Sequence, residues 1–195
     1  TRVPADMRHS EFPRWALSRR HGYLATICDN NYLDRPEGRG IIAILTELRS
    51  GKQEVLDLGE NTVPSILSFH PVESLLAACV NGWEELRLLN LHTREIILPA
   101  VKPAGFYWKD VTFSPDGRWL LLTNFAALRV QPDLQIISFP DYKVRAAYRA
   151  IGGQFGYKMC FSGDGKALGL FSSDAVLYRI DFPKLIDHAR ATFKR

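Results

Sequence analysis

Apolar residues in this chain fall in short runs broken by turn-forming residues. Ile41 to Leu45 and Trp119 to Leu122 are examples, shorter than an ordinary helix and suited to strands. Leu75, Ala77 and Cys79, and likewise Leu120 and Leu122, recur at the strand period, which predicts faces wedged between neighbouring sheets. The runs also repeat. Phe113-Ser114-Pro115-Asp116-Gly117 precedes Trp119-Leu120-Leu121-Leu122, and Phe161-Ser162-Gly163-Asp164-Gly165 precedes Ala167-Leu168-Gly169-Leu170. A third copy starts at Phe69-His70-Pro71 and a weaker fourth at Leu17-Ser18, so the anchors at 17, 69, 113 and 161 are spaced by 52, 44 and 48. Each copy predicts strand, tight turn, strand, because Pro-Asp-Gly and Gly-Asp-Gly supply the fixed and the positive φ values that reverse a chain.

A second marker keeps the same period without having been used to find the first. Glu47, Asn90, Ser138 and Asp181 each close a Leu- or Ile-rich run and are spaced by 43, 48 and 43. Each unit therefore predicts four short strands: an inner one, a second after the Asp-Gly type turn, a third ending at the marker, and an outer one such as Arg94 to Leu98 or Lys143 to Tyr148. The expected class is all-β: an arc of four-stranded antiparallel blades, four in this chain, plus a short C-terminal helix. The blades are expected over 15–62, 63–106, 107–155 and 156–182, the last incomplete, with an N-terminal arm at 1–14 and a helix over 183–195. Pro183 suits a first helical turn and Leu185, Ile186, Ala189 and Phe193 share one face, so the helix is expected to cap the open side of the last blade or to dock a partner.

Over roughly residues 15 to 182 these units resemble WD-type repeats and similar β-propeller repeats that carry a Phe-Ser-Pro-Asp-Gly turn. The resemblance is to a superfamily of blades. Where WD repeats end a third strand in Trp-Asp, this chain has Thr46-Glu47, Leu89-Asn90, Ile137-Ser138 and Ile180-Asp181, and no Gly-His pair stands before an inner strand. The hydrogen-bond network of that family is thus mostly missing, and the broader propeller group, with periplasmic and enzyme-associated members, fits equally well. WD-type rings usually have more than four blades. The chain is accordingly expected to be part of a larger propeller, or to be completed by a second segment or copy that covers its edges.

Composition sharpens this picture in three ways. The chain has 195 residues, 46% of them hydrophobic, which is enough for a sizeable core and too apolar for a disordered tail. No run reaches the roughly 18 apolar residues of a membrane-spanning helix, and no membrane partner is expected. Three cysteines, Cys28, Cys79 and Cys160, with no Cys-x-x-Cys spacing, argue against a disulfide framework and for a reducing, cytoplasmic setting. Cys79 and Cys160 are expected to be small core hydrophobes. The formal charge of +4 sits at the two ends: residues 1–22 and 184–195 each carry +3, leaving −2 between them. Charge placed so is a solvated terminus rather than a nucleic-acid footprint, and nucleic acid is not the expected partner.

Catalytic and metal chemistry finds no local support. Ser162 to Ala167 lacks the first Gly and the final Ser/Thr of a phosphate loop. The stretch from Asp29 starts like a calcium loop but has Asp34 where Gly is needed and Gly40 where Glu is needed. His9, His21, His70, His92 and His188 are scattered, His70 reading simply as part of its turn, so no cofactor and no metal is expected. Binding is expected in blade-end loops. Phe106, Tyr107 and Trp108 stand together beside Gly105, and Phe155 and Tyr157 hold the equivalent place in the next unit. Tyr32, in the long insertion from Asp29 to Arg39, and Trp83, between second and third strands, complete the candidates for contact with a protein partner. The expected function is a non-catalytic scaffold for protein–protein interaction in a larger assembly. A propeller enzyme or small-ligand binder, with its site gathered at the channel mouth, is the alternative.

Overall fold

The computed structural model describes residues 15–29, 41–58, 64–80, 85–97, 108–124, 134–148, 158–171 and 176–192. The first sheet runs β1 (Trp15–Ser18), β2 (Tyr23–Asp29), β3 (Ile41–Glu47) and β4 (Gln53–Val55), antiparallel and in chain order. The second repeats this order with β5 (Pro64–Phe69), β6 (Leu75–Val80), β7 (Glu85–Asn90) and β8 (Ile96–Ile97). The third has β9 (Trp108–Phe113), β10 (Trp119–Asn124), β11 (Leu134–Ser138) and β12 (Val144–Tyr148). The last has β13 (Lys158–Phe161), β14 (Ala167–Phe171) and β15 (Leu177–Asp181), followed by α1 (Phe182–Thr192). The innermost strands stand side by side, β1 next to β5, β5 next to β9 and β9 next to β13.

Strands with two apolar faces result from this stacking. All of β6 is buried: Leu76, Ala78 and Val80 pack toward the first blade, while Ala77 and Cys79 pack toward the third. Across the next junction, Leu120 and Leu122 of β10 face the second blade and Leu121 faces the fourth. Every blade junction is one apolar cluster, and each fully buried Leu or Ile in it contributes roughly 1.5–3 kcal/mol of transfer free energy. A strand covered on one side only would show strict alternation of apolar and polar residues instead.

Both sequence markers are turns whose side chains satisfy the backbone. Ser114 Oγ accepts the Trp119 N–H at 3.0 Å and donates to Asp116 Oδ1 at 2.5 Å; Ser162 and Asp164 repeat this at 2.9 and 2.6 Å. The hydroxyl of Ser162 and the amide of Lys166 hold the Asp164 carboxyl below its usual range. At the second marker the fourth residue on takes positive φ in three blades: Gly51 at 71°, Arg94 at 61° and Tyr142 at 52°. Only Gly51 does so without steric cost. Its N–H returns to Glu47 O, as Arg94 N–H does to Asn90 O, so the same turn closes the third strand of both blades.

The helix caps itself, since Asp181 Oδ1 accepts the Lys184 N–H at 3.1 Å and Pro183 lies in the first turn, where no N–H is needed. It does not cover the open side of the last blade. Phe182 and Ile186 are buried in the cluster between the third and fourth blades, and Tyr148 O–H of β12 donates to Leu185 O at 3.0 Å. Ala189 and Phe193 lie outside the described side chains. The expectation for Cys160 needs correction: it is exposed, because its strand face has no following blade to cover it. Among the described residues no helix is long and apolar enough to cross a membrane.

Candidate functional site

The two ends of the inner strands differ in kind. At the turn end, neighbouring blades are locked through His70. Its Nδ1 accepts the N–H groups of Val72 (3.1 Å) and Glu73 (2.8 Å), which leaves Nε2 as the N–H that donates to Gly117 O at 2.9 Å in the next blade. Phe113 meets the ring edge-on at 4.8 Å, and Phe139 lies tilted against it at 4.7 Å. Burial lowers the His70 pKa, so the neutral ring that this geometry requires is also the favoured one.

A pH dependence follows, with its sign set by that direction. A histidine whose folded pKa lies below the unfolded value of 6.5 contributes stability that is complete above 6.5 and is lost as pH falls toward its folded value. The urea midpoint of the wild type, less that of His70→Gln at the same pH, is expected to fall between pH 7.5 and 5.5. Parallel curves for the two proteins would contradict this.

At the other end lies a charged pair. Asp110, near the start of β9, is buried; its Oδ1 is 3.1 Å from Lys158 Nζ and its Oδ2 accepts the Met159 N–H at 2.7 Å. Burial pushes the Asp110 carboxyl up, and Lys158 opposes the shift. Asp110 and Lys158 each stand three residues before the Phe-Ser anchor of their blade, 48 apart, where the second blade has Ile66. The pair thus uses equivalent positions of successive blades to tie β9 to β13. Nearby Cys79 has its thiol pushed up by complete burial, with the Asp110 charge adding to the effect. A thiol held protonated is no nucleophile at neutral pH.

The candidates for partner contact relate to this end through the chain. Phe106 and Tyr107 directly precede β9, and Phe155 and Tyr157 directly precede Lys158 of β13. These four, with Tyr32 and Trp83, lie outside the described residues, so the structure does not show whether they come together. Trp108 opens β9 with its backbone opposite Asn124; its side chain is not described. Sequence reasoning missed Asp110 and Lys158. Opposite charges at one offset from two anchors were the available signal. Among the described residues, no three His, Cys, Asp or Glu side chains gather as a metal site.

Repeated antiparallel sheets packed face to face through their inner strands define a β-propeller, here with four blades. A crystal structure of TolB from Acinetobacter baumannii is similar, with a TM-score of 0.63 and 18% identity over 87% of this chain. This chain spans 40% of that TolB chain, and at such identity the likeness is one of fold alone. No family model and no curated protein sequence matches the chain.

Proposed function

We propose that this chain is a non-catalytic propeller scaffold, with blades akin to degenerate WD-type repeats, that binds other proteins through its blade-end loops in a larger assembly. The observation that carries this reading is the tie between β9 and β13. Asp110 fixes the starts of two adjacent inner strands to each other, and those strands are the ones to which the segments with Phe106, Tyr107, Phe155 and Tyr157 attach. Anchoring loop roots on rigid strands lowers the entropy cost of ordering aromatic contacts on binding. The proposed compartment is the cytoplasm, in keeping with three unpaired cysteines.

A small-ligand site at the channel mouth has one observation in its favour, the buried carboxyl of Asp110 with the half-exposed ammonium of Lys158 beside it. Both Asp110 oxygens, however, are engaged by Lys158 and by a backbone amide, which suits holding strands better than holding a ligand. With a partner recovered by cross-linking, the combined variant Tyr107→Ala/Trp108→Ala/Phe155→Ala is expected to weaken binding by at least about a hundredfold, at roughly 1 kcal/mol or more per hot-spot aromatic. Unchanged affinity, or turnover of a metabolite by the purified chain, would sink the scaffold reading.

A further inference from the structure

The blade junctions obey a register that the two end blades also follow. On the face turned to the following blade, the central cross-strand pair is Ala25 with Leu45, Ala77 with Leu88, and Leu121 with Ile136. All six are buried. Gly169 and Arg179 hold these places in the fourth blade, beside Phe171 and Leu177, which are 44% and 65% exposed.

The face turned to the preceding blade has its own fixed places. Leu67, Val111 and Met159 share one inner-strand position and are buried; in the first blade that position is Trp15, 58% exposed. Leu89, Ile137 and Ile180 share a third-strand position that in the first blade is Thr46.

The two end faces depart from the internal pattern together. Internal junctions set Leu45 with Leu89, Leu88 with Ile137, and Ile136 with Ile180 in one cluster each, aliphatic with aliphatic. The end faces offer Arg179 and Thr46, polar with polar. Internal junctions also set Ala25 with Leu67, Ala77 with Val111, and Leu121 with Met159. At the ends these become Gly169, where Cys160 Sγ stands 2.9 Å and Leu177 Cδ1 3.5 Å from the place of a Cβ, and Trp15. Matched polarity at one place, with exposed apolar Trp15 on one face and Phe171 and Leu177 on the other, is what one interface between the two faces requires.

We propose that the open face of the fourth blade docks on the open face of the first blade of a second copy of this chain, continuing the blade-to-blade interface from one copy to the next. Such a contact is head-to-tail, using different patches on the two copies. Two copies joined at both junctions supply twice the four blades seen here, which lies within the range of about four to eight known for propeller rings. This inference concerns blade faces and stands apart from the loop-binding reading above.

Complementation tests it. Wild-type protein is expected to show twice the monomer mass by sedimentation equilibrium at about 100 μM, while Trp15→Glu and Leu177→Glu each stay monomeric, a loss of affinity of at least about a hundredfold. Both residues are exposed, so each variant is expected to keep the wild-type circular dichroism and to melt as the wild type does when diluted to its monomer. An equimolar mixture of the two variants keeps one junction intact, Leu177 of one copy on Trp15 of the other, and is expected to regain a two-chain species. Cys160, on the same open face, gives a readout free of mutation: its maleimide reactivity in the wild type should fall about tenfold or more between about 1 and 100 μM. A wild type that stays monomeric with Cys160 equally reactive throughout, a Leu177→Glu variant that still pairs, or a mixture that stays monomeric overturns the proposal. A monomeric wild type would assign the two faces to blades of another chain.

Discussion

Gly117→Ala is expected to cost about 3 kcal/mol or more of folding stability, whereas Gly22→Ala costs about 1–2. The two glycines hold nearly the same backbone conformation, φ 73° and 69°, at the same turn of different blades. Conformation alone therefore predicts equal penalties. They differ in what a Cβ would meet. At Gly22 nothing lies within 4 Å, whereas at Gly117 a methyl would sit 2.6 Å from His70 Nε2 and closer still to Cε1. His70 cannot yield cheaply, because its ring is buried, held by two amides through Nδ1, and flanked by Phe113 and Phe139. Moving it also breaks the bond from Nε2 to Gly117 O. For a domain of this size the full cost of Gly117→Ala amounts to a melting temperature lower by roughly 6 °C or more, against about half that for Gly22→Ala. A double-mutant cycle isolates the cause: in a His70→Ala background, Gly117→Ala should cost no more than Gly22→Ala does. Equal penalties in the wild-type background would show that the contact with His70 carries no energy.

The same pair shows what a sequence of this kind discloses. Turn chemistry is local, so the Ser-Pro-Asp-Gly anchors announced the blades, and the structure gives their reason in Ser114, Asp116, Ser162 and Asp164. His70 could be read as a turn residue because Val72 and Glu73 are two and three residues away. Its bond to Gly117 spans 47 residues, and no local pattern reports it. Cys79 and Cys160 make the point from the other side. Both lie on strands of apolar surroundings, and only the presence of a following blade buries one and leaves the other exposed. The helix was legible from Pro183 and its apolar face, but its resting place between the third and fourth blades depends on Tyr148 and Ala146, about 40 residues earlier. The aromatic loops were legible as composition only, since a loop's conformation is set by packing that periodicity does not encode.

Asp110→Ala is expected to be the most damaging polar substitution in the described chain, at about 2–4 kcal/mol. Its larger part comes from Met159, whose buried N–H loses its acceptor at 2.7 Å; an orphaned buried donor costs about 1–3 kcal/mol. The ion pair adds less, because Lys158 is 36% exposed and water can solvate the ammonium once Asp110 is gone. Asp110→Asn keeps an acceptor for Met159 and should cost less than half as much. The pH profile separates charge from hydrogen bonding. Burial raises the Asp110 pKa above 3.8, so its contribution is complete below 3.8 and is lost as pH rises through the folded value. Lys158→Met removes the group that opposes this shift and should enlarge the loss and carry it to higher pH, whereas Asp110→Asn, having no carboxyl, should abolish it. Urea midpoints from pH 4 to 7 read both effects, and an Asn variant as damaged as the Ala variant would refute the assignment to Met159. Because β9 and β13 carry the roots of two aromatic loops, Asp110→Asn should also leave partner binding nearly intact, while Asp110→Ala weakens it without touching an aromatic residue.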